Sequence, residues 1–160
     1  GPLVTALIAA GKVGSSIGAE IGSMKVTEQI DAMEVSATNP FNFLVVTRVI
    51  ATTLMIPLLV MYTDFVALMG SFLSVSANEK VSMLTFFVQV FESISFLDII
   101  SSVLKSILFG FTIGIVGCYK GYNSTKGTEG VGRAAVVMAM FLIFIEELLV
   151  LQIVNAIRAF

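Results

Sequence analysis

Long apolar runs separated by short polar stretches dominate the chain. Three of these runs reach the roughly 20 residues needed to cross a hydrocarbon core, and they predict membrane-spanning helices over 40–75, 98–119 and 134–158. Residues 1–18 are apolar and rich in Gly, Ala and Ser, which predicts the inner end of a fourth membrane helix. The pattern therefore predicts an all-α, polytopic membrane protein with a single membrane domain over residues 1–160.

A charged stretch interrupts the apolar pattern near the start of the chain. Residues 19–34 hold four acids and one base, and the segment 19–38 is too polar to cross a bilayer. In a helix, Val26, Ile30 and Met33 would share one apolar face. Helices that lie on anionic lipid usually carry Lys and Arg, so this acidic segment favours a protein partner over a lipid surface.

Local signals mark where further helices begin. Asn39 followed by Pro40 predicts an N-cap and a first helical residue. Ser76–Glu79 and Ser95–Asp98 each have the spacing of a capping box. The aromatic segment 79–94 is too short to span, so we expect a short interfacial or re-entrant helix at the outer face. Pro57, inside the first long run, should kink that helix.

The distribution of basic residues predicts the orientation. Six Lys and Arg residues cluster at one set of helix ends, namely Lys12, Lys25, Arg48, Lys120, Lys126 and Arg133. Only Lys80 and Arg158 lie at the other set. By the positive-inside rule, the segment 19–38 and a polar loop over 120–132 are expected to be cytoplasmic.

Composition narrows the possible functions. Hydrophobic residues make up 57% of the chain and charged residues 12%, against about 25% in soluble domains, which again indicates a membrane protein. A net charge of −2 gives no reason to expect nucleic-acid binding. The chain has no histidine and a single cysteine, which excludes the usual zinc sites and Ser-His or Cys-His catalysis. In the loop 121–128 lysine precedes glycine, the reverse of a phosphate-binding loop, so we expect no nucleotide site. We also expect no cofactor and no metal in this chain.

Three charged residues interrupt the predicted spans. A charge at the centre of a bilayer costs roughly 2.5–3.5 kcal/mol on insertion scales, which makes Lys105, Glu146 and Glu147 candidates for a functional site. A rise of 1.5 Å per residue puts Lys105 and Glu147 at about the same depth on consecutive antiparallel helices. We therefore predict an ion pair between Lys105 and either Glu147 or Glu146. A pair that only fixes the helix register is the alternative.

Small residues recur every four positions along the second long run. They are Ser102, Ser106, Gly110 and Gly114. Such a seam allows two helix backbones to approach closely where lipid supplies no hydrophobic drive for association. We expect this face to pack against another helix, within the subunit or across a dimer.

Three blocks of the sequence resemble the MlaE/YrbE family, the permease subunits of ABC transporters that move phospholipids and related lipids. The blocks are GPLVTALIAAGKVGSSI, GAEIGSMKVTEQIDAMEV and GYNSTKGTEGVGRAA. The resemblance implies an inner-membrane homodimer that passes lipid along a cavity between its copies, with a separate ATPase and an outer MCE-domain lipid-binding protein as partners. It also implies that the chain is incomplete at its N-terminus, because family members are longer there.

By this resemblance the segment 19–38 is the coupling helix that docks on the ATPase. The residues expected to mediate docking are Glu20, Lys25, Glu28, Gln29, Asp31 and Glu34. The family is expected to carry one acid, usually Asp, near Glu147, so the Glu146–Glu147 doublet departs from its pattern. Two alternatives stay open: a helical scaffold that transports nothing, and a membrane-embedded lipid-modifying enzyme using Lys105 with Glu146 or Glu147.

Overall fold

The protein folds as a bundle of long helices. The structure, a computed structural model, describes residues 1–78, 81–124 and 128–159. The helices of these residues are α1 (Pro2–Val26), α2 (Gln29–Val35), α3 (Phe41–Val46 and Thr47–Asn78), α4 (Met83–Ser93), α5 (Phe96–Tyr122) and α6 (Thr128–Ala159). Short π-helical turns occur inside α1, over Ala10–Gly14, and at the start of α3.

Four of these helices are long and apolar enough to cross a membrane, which confirms the all-α polytopic prediction. The qualifying stretches of α1, α3, α5 and α6 contain 25, 37, 27 and 30 residues, respectively. Where only the inner end of a fourth span was expected over 1–18, α1 continues to Val26. At 1.5 Å per residue its 25 residues extend about 37 Å, more than the roughly 30 Å hydrocarbon core.

The four long helices alternate in direction, so their ends form two sets. We call the set with Val26, Phe41, Tyr122 and Thr128 the basic end, because Lys25, Arg48, Lys120 and Arg133 lie near it. The set with Pro2, Asn78, Phe96 and Ala159 is called the opposite end.

Helix α5 lies at the centre of the bundle and packs against α1, α3 and α6. Its fully buried residues Phe109 and Ile113 join a core cluster to which α1 contributes alanines, α3 contributes Ile56 and Val60, and α6 contributes Ile143. A second cluster at the basic end gathers Ile17, Ile21, Ile30, Leu44 and Cys118. The outward faces of the spans carry large exposed hydrophobic side chains, as expected where lipid is the solvent.

The predicted small-residue seam of α5 faces α3. A Cβ atom on Gly110 would lie 2.6 Å from the carbonyl oxygen of Thr52, and one on Gly114 would lie 3.0 Å from the Cα of Val49. Ser106 is buried in the same row, whereas Ser102 is half-buried and borders a groove between the two helices. At the two glycines, the backbones of α5 and α3 therefore come close together.

Glycines also bring α1 close to α5 and α6, in a contact that the sequence pattern did not predict. A Cβ on Gly117 would lie 3.2 Å from the carbonyl oxygen of Gly14, and one on Gly121 would lie 2.9 Å from that of Gly18. On α6, a Cβ on Gly132 would lie 3.1 Å from the carbonyl oxygen of Ser15.

These contacts correct the predicted loop over 120–132. Its glycines were interpreted as loop residues, but Gly121 and Gly132 are helical contact points. Helix α5 continues to Tyr122 and α6 begins at Thr128. Residues 125–127, including Lys126, lie outside the described residues.

The segment 19–38 is not the single helix that was predicted. Its first part is the end of α1, its last part is α2, and Thr27 and Glu28 form a turn between them. Glu28 adopts a left-handed backbone conformation, with φ of 58°, which ends one helix and redirects the next. Ile30 and Met33 consequently face the second cluster, while Val26 is exposed rather than on the same apolar face.

Two helix starts match their sequence signals. The side-chain oxygen of Asn39 accepts hydrogen bonds from the backbone N–H groups of Phe41 (3.1 Å) and Asn42 (3.4 Å), which confirms the N-cap. Ser95 and Asp98 form the predicted capping box of α5. Ser76 instead lies inside α3, and its expected partner Glu79 is outside the described residues. The short helix expected over 79–94 is observed as α4, Met83–Ser93.

Candidate functional site

A row of polar contacts joins α5 to α6. On α5 the participating residues Asp98, Lys105 and Thr112 are spaced by seven, so they lie on one face of the helix. Their partners on α6 are Arg158, Glu147 and Glu146, respectively. The row therefore runs from the opposite end of the bundle toward its middle, between two mainly apolar helices.

The central contact of this row is an ion pair between Lys105 and Glu147. The ammonium nitrogen lies 2.6 Å from Oε1 of Glu147, and the two side chains are 15% and 20% exposed. Because little water reaches them, each charge depends on the other for solvation. The two candidate charges that the sequence analysis placed at one depth are thus in contact.

Glu146 points to a different partner. It accepts a hydrogen bond from the hydroxyl of Thr112, which lies about two turns further along α5 than Lys105. Consecutive helical residues point about 100° apart, so the two carboxylates cannot share one partner. The structure therefore pairs Lys105 with Glu147, and it adds Thr112, which sequence reasoning missed because a threonine in an apolar helix gives no distinctive signal.

The two carboxylates are incompletely satisfied. The Oε2 atoms of both Glu146 and Glu147 are buried and have no hydrogen-bond partner among the described residues. A buried acceptor without a donor is costly, so the site has capacity for a further donor. The arrangement can hold a charge or exchange a proton between its polar groups.

The outer contact, between Asp98 and Arg158, is more accessible. Both side chains are 47% exposed, and the carboxylate of Asp98 also accepts a hydrogen bond from the backbone N–H of Ser95 as part of the capping box. Exposed pairs of this kind contribute little to stability. This pair therefore offers a matched comparison for the buried one on the same two helices.

The charged segment at the basic end forms the second candidate site. We call Glu20–Glu34 the coupling segment. At its start, Glu20 forms an ion pair with Arg48 of α3 at 3.0 Å, and within the segment Lys25 pairs with Asp31 at 3.0 Å. The ammonium of Lys25 also lies 5.8 Å from the ring centre of Tyr122, which links the segment to α5.

The remaining predicted residues of this segment face outward. Glu28, Gln29 and Glu34 are exposed, whereas Ile30 between them is fully buried in the second cluster. Among the described residues, neither Glu28 nor Glu34 takes part in an ion pair. The coupling segment thus presents exposed acidic side chains, of which Glu28 and Glu34 lie outside its ion pairs.

The two candidate sites lie far apart. Lys105 precedes Tyr122 by seventeen residues of one helix, which corresponds to about 26 Å at 1.5 Å per residue. The continuous helices α1 and α5, in contact through their glycines, connect the two regions.

Comparison with known proteins gives a consistent result. The model of the permease family described as "Permease MlaE" matches residues 1–153. A probable ABC transporter permease protein of Rickettsia typhi is 42% identical over 156 residues, which cover 96% of this chain and 60% of that protein. One from Synechocystis is 40% identical over 149 residues, covering 91% of the chain and 57% of that protein.

A plant protein is also similar. The chloroplastic protein TRIGALACTOSYLDIACYLGLYCEROL 1 of Arabidopsis thaliana is 34% identical over 149 residues, covering 91% of this chain and 43% of that protein. The chain thus spans about 60% of the length of the Rickettsia relative and less of the others. With its four apolar helices and a family match over nearly all of its residues, this multi-pass membrane chain belongs to the MlaE family of ABC transporter permeases.

Proposed function

We propose that this chain is the membrane part of a lipid transporter driven by a separate ATPase that docks on the coupling segment. The observation that carries the proposal is the exposed acidic charge of Glu28 and Glu34 beside the buried anchor Ile30. An anchored acidic surface fits a protein partner with basic residues, and electrostatic complementarity would direct its docking. The MlaE family and the ABC permease names of the relatives support an ATPase as that partner.

The proposed substrate is a phospholipid or a related lipid. The support comes from the permease family and from the plant relative, which carries the name of a glycerolipid. Lipid would pass along a cavity between two copies of the chain, and an MCE-domain protein would exchange it at the opposite end. In this proposal the protein lies in the inner membrane of a cell. The basic end, with the coupling segment and residues 120–132, faces the cytoplasm.

The proposed role of Lys105 and Glu147 is to support the transport path. Their polar contacts hold α5 against α6 while leaving buried carboxylate oxygens able to accept further hydrogen bonds. Polar groups inside membrane helices often mark such paths.

Co-purification tests the docking surface. The double variant Glu28→Lys, Glu34→Lys reverses the exposed charge without touching the Lys25–Asp31 pair, so the ATPase should no longer co-purify with the tagged permease. The matched control is Glu92→Lys, which reverses an exposed acid on α4 and should retain the ATPase. Retention of the ATPase by the double variant at the level of the control would overturn the assignment.

A further inference from the structure

An apolar groove separates α3 from α5 near the basic end. One wall is the start of α3, including Val46 and Ile50, and the other is the last two turns of α5, including Ile115 and Tyr119. Its volume is about 440 Å³, and the buried Cys118 lies at its floor. We call it the basic-end groove.

The groove follows from the sizes of residues along one row of α5. Gly110 and Gly114 hold the two helices in close contact. The next positions in the same four-residue spacing are Cys118 and Tyr122, whose larger side chains cannot permit so close an approach. The helix surfaces therefore separate beyond Gly114 and leave a space between them.

The groove opens to the surroundings of the bundle rather than to its core. Val46, Ile50, Ile115 and Tyr119 are each 37–56% exposed. These residues belong to two helices that are long and apolar enough to span a membrane. In a bilayer, their exposed side chains would face hydrocarbon. The groove does not belong to the polar row around Lys105.

Among the described residues that line the groove, the polar ones lie toward the end of α5. Tyr122 and Asn123 line it where α5 ends, and the ammonium of Lys25 lies over the Tyr122 ring. That ammonium has three N–H donors, of which one is directed to Asp31. An apolar trough that ends beside tyrosines and a cation complements an amphiphile with a hydrocarbon chain and a phosphate headgroup.

We propose that the basic-end groove binds one acyl chain of a membrane phospholipid, with its phosphate beside Tyr122 and Lys25. Because Tyr122 and Lys25 also tie the coupling segment to α5, the bound lipid would sit directly against that segment. This site is separate from any transport path, and its occupancy requires neither ATP nor lipid movement.

Photolabelling of the protein purified from its membrane tests the site. The protein is placed in vesicles of phosphatidylethanolamine and phosphatidylglycerol that contain phosphatidylglycerol with a photoreactive acyl chain. Peptides from both walls, 41–50 and 115–123, should be labelled several-fold more than the exposed α3 surface at Leu54, Met55 and Leu58.

Two variants make the test specific. Val46→Trp fills the groove and should reduce labelling of 115–123 several-fold, and Ile115→Trp should do the same for 41–50 from the other wall. Leu54→Trp, at an exposed position of α3 outside the groove, should leave both signals unchanged. Equal labelling of the groove and the Leu54 surface would show that the groove contacts only bulk lipid. No labelling of the groove would show that protein covers it. Either result would overturn the proposal.

Discussion

At the scale of single residues, the buried charges were the most informative feature of the sequence. Lys105 and Glu147 stand out because charges are rare in apolar spans, and counting the helical rise brought them to one depth. The sequence could not decide between Glu146 and Glu147, since that choice depends on how α6 is rotated against α5. Nor could it identify Thr112 as the partner of Glu146, because one hydroxyl does not alter an apolar pattern.

Replacing Lys105 by alanine should destabilise the protein more than replacing Arg158. Lys105→Ala leaves Glu147 as a buried charge without its partner, a loss of about 3–5 kcal/mol for a fully buried pair and less where water enters. Arg158→Ala breaks a pair whose side chains are 47% exposed and should cost about 0–1 kcal/mol. Thermal unfolding of the purified variants measures the difference, and the exchange Lys105→Glu with Glu147→Lys should recover part of it. Equal midpoints for the two alanine variants would contradict the burial argument.

The hydroxyl of Thr112, rather than its methyl group, should contribute to the stability of the protein. Thr112→Val preserves the shape of the side chain but leaves Oε1 of Glu146 without a donor beside an already unpartnered Oε2. Leaving that acceptor unsatisfied should lower the free energy of unfolding by about 1–3 kcal/mol. Thr112→Ser, which retains the donor, should stay close to the original stability when both are compared by thermal unfolding. If the valine variant is as stable as the serine variant, the hydrogen bond between Thr112 and Glu146 contributes nothing to stability.

At the scale of helices, starts with local capping signals were predictable and breaks that depend on distant contacts were not. Asn39 and Ser95 each bond to backbone groups within three residues, so their sequence neighbourhood contains the whole interaction. The turn at Glu28 instead accompanies the packing of Ile30 against Ile17, Ile21 and Leu44 from other helices. No periodicity within 19–38 carries that information.

Glycine can serve close helix packing or loop formation, and composition alone could not distinguish these two roles. The seam at Gly110 and Gly114 was recognised because it lies in a long apolar run. Gly121 and Gly132 lie among polar residues and resembled loop glycines, although they allow close helix contacts. The difference depends on which helix lies opposite each glycine.

Gly110→Ala should destabilise the bundle, whereas Gly70→Ala should not. A Cβ at Gly110 would meet the backbone of Thr52 and Thr53 at 2.6 and 3.0 Å, so the helices must move apart, at a cost of about 1–3 kcal/mol. A Cβ at Gly70 has nothing within 4 Å, and alanine favours helix by up to about 1 kcal/mol. Thermal unfolding of both variants is the measurement. Similar midpoints would show that the α3–α5 contact can relax without loss.

At the scale of the whole molecule, the arrangement separates the proposed docking surface from the buried charges. The coupling segment lies at the basic end, and the Lys105–Glu147 pair lies about 26 Å away along α5. Helices α1 and α5 are in close contact along their glycines, so a displacement of the coupling segment would be passed to α5 as a rigid element. The order of the long helices was predictable from hydropathy, but the full length of α1 and the mutual packing of the helices required the structure.

The most direct test of the account is ATP-dependent movement of phospholipid by the assembled transporter. The permease and its ATPase are reconstituted in vesicles that contain a fluorescent phospholipid, and transfer of that lipid out of the vesicles is followed with and without ATP. We predict transfer that requires ATP, is lost in the Glu28→Lys, Glu34→Lys variant and is impaired in Lys105→Ala, while Glu92→Lys behaves as the unaltered protein. A complex that hydrolyses ATP with all its partners present and yet moves no phospholipid would contradict the proposed function.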